Sequence, residues 1–388
     1  MSESTPLRRS SLAHYNDVEE YEVEEEHSWT PVQKASMYGG GFFVGLFALY
    51  FFTLYLPSYF IPEATDLVAI KKVSQLDVAL TPLAGGTSVA LGDYTTLGFD
   101  SEYSEQSSKK RNVNRIIMVG DVHAHYTQFR KLLNKVKYNK KNDHLLLLGD
   151  FITKGPDSRK ILDYLIANDV DCILGNHEYY ALQNYATFHG LDQPSFEFNG
   201  TIEKFLGDGS SFLVKDGFND DPEFLIAKKL EPEHVQYINN CSIIKKLGTM
   251  PLQKSKGGAN GVAVHAGIRW DLDLQDQDPI DNLEMRSLIG PYFNETTSDP
   301  DVEDSVSWSK IFNMKQKEKS AHDKDLTVVY YGHDARRGLN LKQYTKGLDS
   351  GCDRGDKLTA MVVWAELSRS KKGSHQIVYK EEPVQIHC

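Results

Sequence analysis

The chain has 388 residues, of which 40% are hydrophobic and 25% are charged, as in ordinary globular proteins. Its formal net charge of −11 at pH 7 argues against general affinity for nucleic acid, so we expect no nucleic-acid partner. Much of the excess acid lies between residues 19 and 26. Like charges in one segment repel each other, so residues 1–36 are predicted to be a disordered acidic tail.

Residues 37–61 form an uninterrupted run without any charged side chain. A helix needs about 20 apolar residues to cross a bilayer, and tyrosines near both ends of the run suit the membrane interfaces. A cleaved signal peptide normally has a short leader and roughly 7–15 apolar residues. The longer run and the long polar segment before it therefore predict an uncleaved, single-pass signal anchor.

The orientation of this anchor is only weakly encoded. Lysine and arginine flank the run on both sides, so positive charge hardly favours either orientation. Three Asn-X-Ser/Thr tripeptides follow the run and would be glycosylation sites in a lumen: Asn199, Asn240 and Asn294. We therefore expect a type II protein with a cytosolic tail and a lumenal catalytic domain.

The four cysteines, Cys172, Cys241, Cys352 and Cys388, show no metal-ligand spacing. We expect them to be buried or idle thiols, as free cysteines commonly are. Disulfides become plausible only if the domain lies in an oxidising lumen.

The remaining chain divides at about residue 113. Residues 62–112 lack clear periodicity and are rich in Gly, Thr, Ser and Pro, so they are predicted to be a linker. Beyond it, apolar runs at 115–119, 144–148 and 170–174 alternate with helical patterns at 126–138 and 158–168.

This alternation predicts an α/β fold with parallel strands covered by helices, over residues 113–388. Further strands are expected at 261–265, 326–331 and 358–364. Residues 178–250 look mainly helical and irregular, and we expect them to form a cap or insertion.

Each main predicted strand is followed directly by residues that bind metals or protons. They are Asp121, His123, Asp150, Asn176, His177, His265 and His333. Active sites of open α/β sheets lie just outside the carboxyl ends of the strands, so these side chains should share one site. Two divalent cations about 3.5–4 Å apart require a bridging carboxylate and separate nitrogen and oxygen ligands. Such a pair binds a phosphoryl group and lowers the pKa of a bridging water. The mixed nitrogen and oxygen ligands suit zinc, manganese, iron or cobalt.

Five blocks carry a family resemblance: GDVH (120–123), GDFITKG (149–155), GNHE (175–178), HAG (265–267) and YGH (331–333). In this order they resemble the phosphoprotein-phosphatase branch of the calcineurin-like metallophosphoesterases. The resemblance implies that family's fold, with β-sheet layers flanked by helices, and two metal ions, zinc first among them. Asp121, His123 and Asp150 would bind the first metal, and Asp150 would bridge to the second, which Asn176, His265 and His333 complete. His177 matches the family's general acid, while Glu178 is expected to support the turn.

Two departures from the resemblance concern the substrate. Thr153-Lys154 stands where protein phosphatases of this branch usually carry Asp-Arg. The aspartate normally orients the catalytic histidine, so His177 must find another partner, and lysine replaces the bidentate arginine by a point charge. With Thr153-Lys154 at this position, the chain resembles the subgroup of symmetrical dinucleoside tetraphosphatases and fungal vacuolar endopolyphosphatases. Residues 331–364 and the anchor before the domain particularly resemble the fungal group.

Several residues are candidates for binding the substrate: Asn176, Lys154, Arg286, Arg336 and Arg337. The cations after His333, which also include Lys342 and Lys346, form either a solvated face or a basic rim for further phosphates. Asp349 and Cys352 are interpreted as turn and packing residues.

The leading hypothesis is an endopolyphosphatase of the vacuole membrane, which cuts inorganic polyphosphate internally with metal-activated hydroxide. A symmetrical dinucleoside tetraphosphate hydrolase is the first alternative, followed by a serine/threonine protein phosphatase and a nuclease of the wider superfamily. A membrane-tethered interaction protein without catalysis is disfavoured, because the full set of expected ligands and His177 are present.

Overall fold

The computed structural model describes residues 29–56, 61–84, 89–92, 110–198, 200–203, 221–253, 258–320, 325–369 and 375–388. The chain divides into two compact units, Met1–Ile61 and Pro62–Cys388. The predicted acidic tail lies largely outside the described residues, as does Asn199.

The first unit contains helix α1 (Pro31–Tyr50), which continues as a π-helical turn over Phe51–Tyr55. Thr30 caps its start: the Thr30 hydroxyl accepts a hydrogen bond from the Gln33 backbone N–H at 3.3 Å. The helix therefore begins at Pro31, inside the segment predicted to be a disordered tail. The helix spans 25 residues over Pro31–Tyr55, and an 18-residue window within it has a mean hydropathy of 1.6, so it is long and apolar enough to cross a membrane.

The second unit is built around two mixed β-sheets. The strands in chain order are β1 (Ile70–Lys71), β2 (Val73–Gln75), β3 (Val78–Leu80), β4 (Leu83–Ala84), β5 (Arg111–Val113), β6 (Arg115–Val119), β7 (Asp143–Leu147), β8 (Asp171–Cys172), β9 (Phe196–Phe198), β10 (Thr201–Glu203), β11 (Ile244–Pro251), β12 (Gly258–Val264), β13 (Ser287–Ile289), β14 (Glu295–Thr297), β15 (Ser305–Ser307), β16 (Thr327–Tyr331), β17 (Asn340–Leu341), β18 (Thr345–Gly347), β19 (Lys357–Arg369) and β20 (His375–His387).

Helices lie between these strands, as the sequence pattern predicts. They are α2 (Tyr126–Lys135), α3 (Ser158–Ala167), α4 (Asn176–His189), α5 (Pro222–Ala227), α6 (Pro232–Asn240), α7 (Pro279–Glu284) and α8 (Trp308–Ser320). In α2 the side chains of Phe129, Leu132 and Leu133 are buried, which confirms the helical spacing seen in the sequence.

The first sheet has the strand order β20-β19-β6-β7-β8, with β4 paired to β19. Strands β6, β7 and β8 are parallel, as predicted, whereas β19 runs antiparallel to both β6 and β20. The second sheet has the order β17-β18-β16-β12-β11-β2. The carboxyl ends of β6, β7, β12 and β16 all lead into candidate site residues, which follows from the parallel pairing of β6 with β7 and of β12 with β16.

The prediction that residues 62–112 form a linker is wrong. Within this segment β2 pairs with β11 and β4 pairs with β19, so it contributes a strand to each main sheet. Ile70, Leu76 and Leu83 are at most 1% exposed in the hydrophobic core. These strands have only two or three residues each, which is too short for a recognisable alternation of apolar and polar side chains.

Core substitutions in this segment test its structural role. Ile70→Ala and Leu76→Ala are each expected to lower the free energy of unfolding by about 2–5 kcal/mol, since both remove buried methyl groups. Val68→Ala is the matched control, because Val68 is 59% exposed and should change stability by less than about 0.5 kcal/mol. Chemical denaturation of the full chain measures all three. Equal, negligible changes would restore the linker interpretation.

The prediction of idle thiols is also wrong. Cys172 pairs with Cys241, and Cys352 pairs with Cys388, so all four cysteines form disulfides. The partners are 69 and 36 positions apart in sequence, respectively, and sequence spacing does not reveal connectivity. Disulfides of this kind are typical of oxidising compartments.

Candidate metal centre

The site lies where the turns after β6, β7, β12 and β16 converge with the first turn of α4. Gly149, between β7 and Asp150, has a φ of 89°. A Cβ atom at this position would lie 2.5 Å from Nδ1 of His265 and 2.7 Å from Cα of Gly175. Only glycine therefore lets the three turns approach closely enough to share one site.

Asp150 is at the centre of this site and is 2% exposed. Its Oδ1 lies 3.4 Å from Nε2 of His265. Its Oδ2 lies 3.8 Å from Nε2 of His123 and 3.8 Å from Nε2 of His177. The two oxygens thus face different groups of imidazoles, the arrangement that a bridging carboxylate requires.

One side of the site combines an amide oxygen with two imidazoles. Oδ1 of Asn176 lies 3.0 Å from Nε2 of His265 and 3.2 Å from Nδ1 of His333. The other ring nitrogens contact carbonyl oxygens: Nδ1 of His265 with Leu148 at 2.8 Å, and Nε2 of His333 with Glu284 at 3.0 Å. These backbone contacts fix the ring orientations, as second partners of metal-binding histidines commonly do.

Asp121 and His123 complete the candidate set. The backbone N–H of His333 donates to Oδ2 of Asp121 at 3.0 Å, which joins the ends of β6 and β16. His123 is 3% exposed, and its Nδ1 is buried without a hydrogen-bond partner among the described residues. The structure thus brings all six candidate ligands into one site.

The pKa shifts of three candidate ligands suit divalent cations, and those of two others do not. Burial lowers the pKa of His123 to about 4, and burial together with His265 and Arg286 lowers the pKa of His333. Burial alone would raise the pKa of Asp150, but His265 and His177 outweigh it and hold this pKa well below its usual range. Neutral imidazoles and an ionised carboxylate are the forms that bind metals, so His123, His333 and Asp150 already favour those forms. Burial together with Asp349 and Asp150 instead raises the pKa of Asp121 well above its usual value, and, against the effect of burial, Asp150 raises the pKa of His265. Binding of divalent cations would therefore displace protons from Asp121 and His265.

Three candidate ligands lie on left-handed backbone. The φ angles are 43° at His123, 50° at Asp150 and 68° at His333. This region is uncommon for residues other than glycine, although histidine and aspartate occupy it more readily than most. Such outliers concentrate at functional sites, where surrounding contacts hold them.

Glu178 supplies part of that support. Its fully buried carboxylate accepts hydrogen bonds from the backbone N–H groups of Asp150 at 2.7 Å, Phe151 at 2.9 Å and Ile152 at 3.0 Å. Burial and the nearby Asp150 raise the pKa of Glu178 to about 7. The interpretation of Glu178 as a residue that supports the turn is confirmed.

His177 has a partner that sequence reasoning missed. Nδ1 of His177 contacts Oε1 of Glu223, on α5, 46 positions later in the chain. Burial opposes ionisation, but the charges of Asp150 and Glu223 raise the pKa of His177 above its ordinary value. Glu223 follows residues 204–220, outside the described part of the chain, and no motif in the sequence marks it.

The candidate cations differ in their environments. Nζ of Lys154 lies 3.0 Å from Nε2 of His123 and 3.4 Å from Oδ2 of Asp353. The charge of Arg286 contributes to the lowered pKa of His333. The backbone oxygen of Arg286 accepts a hydrogen bond from Nη1 of Arg337 at 3.3 Å. These three cations therefore lie at or next to the site.

The other cations after His333 lie farther from this arrangement. Arg336 is exposed and pairs with Asp301 at 2.8 Å. Lys342 donates to the Ser309 hydroxyl at 2.8 Å. Lys346 is fully buried and pairs with Glu381 at 2.7 Å, so it belongs to neither a solvated face nor a basic rim. The interpretation of Lys346 is wrong because the strand β18 turns its side chain into the core.

The chain also resembles known proteins. It is 28% identical over 297 residues to the zinc-dependent endopolyphosphatase of Saccharomyces cerevisiae, covering 70% of this chain and 80% of that protein. It is 29% identical over 277 residues to a symmetrical bis(5'-nucleosyl)-tetraphosphatase of Buchnera aphidicola, covering 65% of this chain and 94% of that protein. A crystal structure of a proposed diadenosine tetraphosphatase has a TM-score of 0.48 at 22% identity, covering 69% of this chain and 94% of that chain.

A family model identifies the domain itself. The model for calcineurin-like phosphoesterases matches residues 114–337, a range that contains every candidate metal ligand. Because this match covers more than half of the chain, the chain belongs to the calcineurin-like phosphoesterases.

Proposed function

We propose that this metal-dependent phosphoesterase cleaves internal phosphoanhydride bonds of inorganic polyphosphate. The observation that carries the proposal is the extended similarity to the zinc-dependent endopolyphosphatase of Saccharomyces cerevisiae. Cations near the candidate ligands support it, because a chain of phosphates carries charge along its whole length.

The assignment of the ligands is the one that the family resemblance implies. Asp121, His123 and Asp150 would hold one cation, and Asp150, Asn176, His265 and His333 would hold the other. The close approach of Asp150 to His123, and of Asp150 to His265 and His333, supports this assignment. When bound, the two cations neutralise phosphoryl charge and lower the pKa of water, so that a nucleophile exists near neutral pH. Zinc is the metal we propose first, with manganese, cobalt and iron as alternatives for the same nitrogen and oxygen donors.

The remaining residues bind the substrate and move a proton. Lys154 and Arg286 hold the oxygens of the reacting phosphate, together with the amide of Asn176. His177 donates the proton on Nε2 to the departing phosphate oxygen as the P–O bond breaks. Asp150 lies 3.8 Å from that nitrogen and stabilises its charged form before transfer.

A second candidate function is symmetrical hydrolysis of dinucleoside tetraphosphates. The similarity to the Buchnera enzyme over 94% of its length favours it. A serine/threonine phosphatase ranks third because Thr153-Lys154 replaces the usual Asp-Arg. Incubating the metal-loaded full chain with long polyphosphate, diadenosine tetraphosphate and a phosphopeptide separates the three, using zinc, manganese and cobalt in turn. Products of intermediate length on a gel support internal cutting, whereas cleavage of the nucleotide or peptide alone contradicts the proposal.

Arg336 and Arg337 are proposed to hold phosphates beyond the reacting one. Replacing both by alanine should raise KM for long polyphosphate by roughly threefold to tenfold, the scale of charge contacts made by the exposed Arg336 and the partly buried Arg337. KM for a small chromogenic phosphate ester should stay nearly constant, because that ester does not reach them. Lys140 and Lys141 are the control pair, because they are exposed and precede the amino end of β7, whereas the site lies at its carboxyl end. Equal changes for both substrates would contradict the basic rim.

We further propose that the chain is a type II protein of the vacuole membrane, with its catalytic unit in the lumen. Helix α1 is long and apolar enough to be the anchor. The two disulfides suit an oxidising lumen, and the exposed side chains of Asn240 and Asn294 are accessible for glycosylation there. Protection of the catalytic unit from protease added to intact vacuoles tests this topology.

A further inference from the structure

The contact between His177 and Glu223 answers a question that the sequence leaves open. In the resembling protein phosphatases an aspartate orients the catalytic histidine, and Thr153 stands at that position here. The hydroxyl of Thr153 is buried without a hydrogen-bond partner among the described residues. Its backbone N–H donates to the Ser158 hydroxyl at 3.0 Å. Thr153 is therefore engaged with the start of α3 and supplies no carboxylate to His177.

Glu223 is held in place by its own short helix. It is 7% exposed, and its backbone N–H donates to Oδ1 of Asp221 at 3.1 Å, which caps α5. Helix α5 packs against α4, the helix that carries His177 in its first turn. A buried carboxylate is costly unless it is paired, and the imidazole of His177 is the partner to which Oε1 is directed.

We propose that Glu223, on helix α5, is the positioning residue of His177. It would have the role that an aspartate at the position of Thr153 has in the resembling protein phosphatases. This inference rests on the proposed role of His177 as the acid. Glu223 accepts the hydrogen bond from Nδ1–H, which fixes the ring orientation and leaves Nε2 on the Asp150 side. The Nε2 proton passes to the leaving oxygen as the P–O bond breaks, while the Nδ1 proton stays with the ring. In other enzymes, too, a buried carboxylate accepts a hydrogen bond from Nδ1–H of a catalytic histidine and thereby fixes its tautomer and orientation.

The test compares leaving groups in metal-loaded full chain carrying Glu223→Gln. The substitution keeps the shape and the acceptor oxygen but removes the charge. We expect kcat for phenyl phosphate to fall about tenfold to hundredfold, because a poor leaving group needs the acid. The loss for 4-nitrophenyl phosphate should be several times smaller, with KM and metal content unchanged. Glu231→Gln is the matched control, since Glu231 pairs with Arg159 and lies outside the site.

A second measurement requires no turnover. Nitrogen NMR of ¹⁵N-histidine-labelled chain, with His177 assigned by its loss in His177→Asn, should show a protonated Nδ1 in the wild type. Glu223→Gln should shift that signal toward a mixture of tautomers. Equal losses of kcat on both esters, no loss on either, or an unchanged nitrogen spectrum would each overturn the proposal.

Failure of the proposed role of Glu223 can be distinguished from failure of polyphosphate as the proposed substrate. Suppose that the wild type leaves long polyphosphate uncut, while Glu223→Gln shows the expected difference between the two esters and the tautomer shift. Glu223 then keeps its role, and only the proposed substrate is wrong. If polyphosphate is cut normally by Glu223→Gln and the esters lose activity equally, the substrate stands and the role of Glu223 is wrong.

Discussion

Replacing Asp150 by asparagine is expected to abolish hydrolysis and to reduce the amount of bound metal. The two oxygens of Asp150 face different sets of imidazoles, and Asp150 is the carboxylate that belongs to both candidate metal groups around the site. Asparagine keeps the size and one acceptor oxygen but has no negative charge to hold two cations together. We expect kcat/KM to fall by about a thousandfold or more, equivalent to roughly 4 kcal/mol of transition-state stabilisation.

The measurement combines steady-state kinetics with elemental analysis of the purified full chain. Asp169→Asn is the matched control: Asp169 is exposed in the turn between α3 and β8, and asparagine tolerates its left-handed φ of 52° as well as aspartate does. That variant should retain both metal content and activity. Normal turnover or an undiminished metal content in Asp150→Asn would contradict the assignment of Asp150 as the bridge.

Replacing His177 by asparagine is expected to remove turnover while both metals remain. His177 lies next to Asp150, but its Nδ1 is engaged by Glu223, so only Nε2 is available for chemistry. Loss of a general acid typically costs about 10²–10⁴ in rate. KM should change little, because the proposed phosphate contacts come from other side chains. This separates His177 from the six candidate ligands, whose removal should reduce metal content.

His125→Asn provides the control for this variant. His125 is near His123 in sequence, but Nδ1 of His125 contacts the backbone oxygen of Val122 at 3.1 Å and the residue is assigned no role. We expect its activity to match the wild type. A His177→Asn variant that loses metal in parallel with activity would instead make His177 a ligand, since it lies within the group formed with His123 and Asp150.

The centre of the site was predictable because each candidate ligand follows a strand that sequence patterns reveal. Residues 115–119 and 144–148 are continuous apolar runs, and polar residues that follow such runs converge at one edge of a parallel sheet. The order of the five blocks then indicated the family, so the turns that carry Asp150 and His265 required no knowledge of the fold.

Other features depend on contacts between distant segments and leave no local pattern. Glu223 reaches His177 from the short helix α5, and a glutamate near the start of a helix is ordinary in sequence. The strands β2 and β4 are recognisable only through their partners β11 and β19. Lys346 looks like a surface cation until Glu381, on β20, is placed beside it in the core. The role of Glu223, the strands β2 and β4 and the burial of Lys346 all depend on contacts between segments far apart in sequence.

The left-handed backbone at His123, Asp150 and His333 has a consequence for the evolution of this protein. Each such residue costs roughly 1 kcal/mol, so the three together cost about 3 kcal/mol against a net stability of about 5–15 kcal/mol in typical domains. Glycine at any of these positions would relieve the strain but remove a ligand. Variants selected for heat resistance alone should therefore tend to lose activity at these sites first, because stability and catalysis make opposite demands on the same residues.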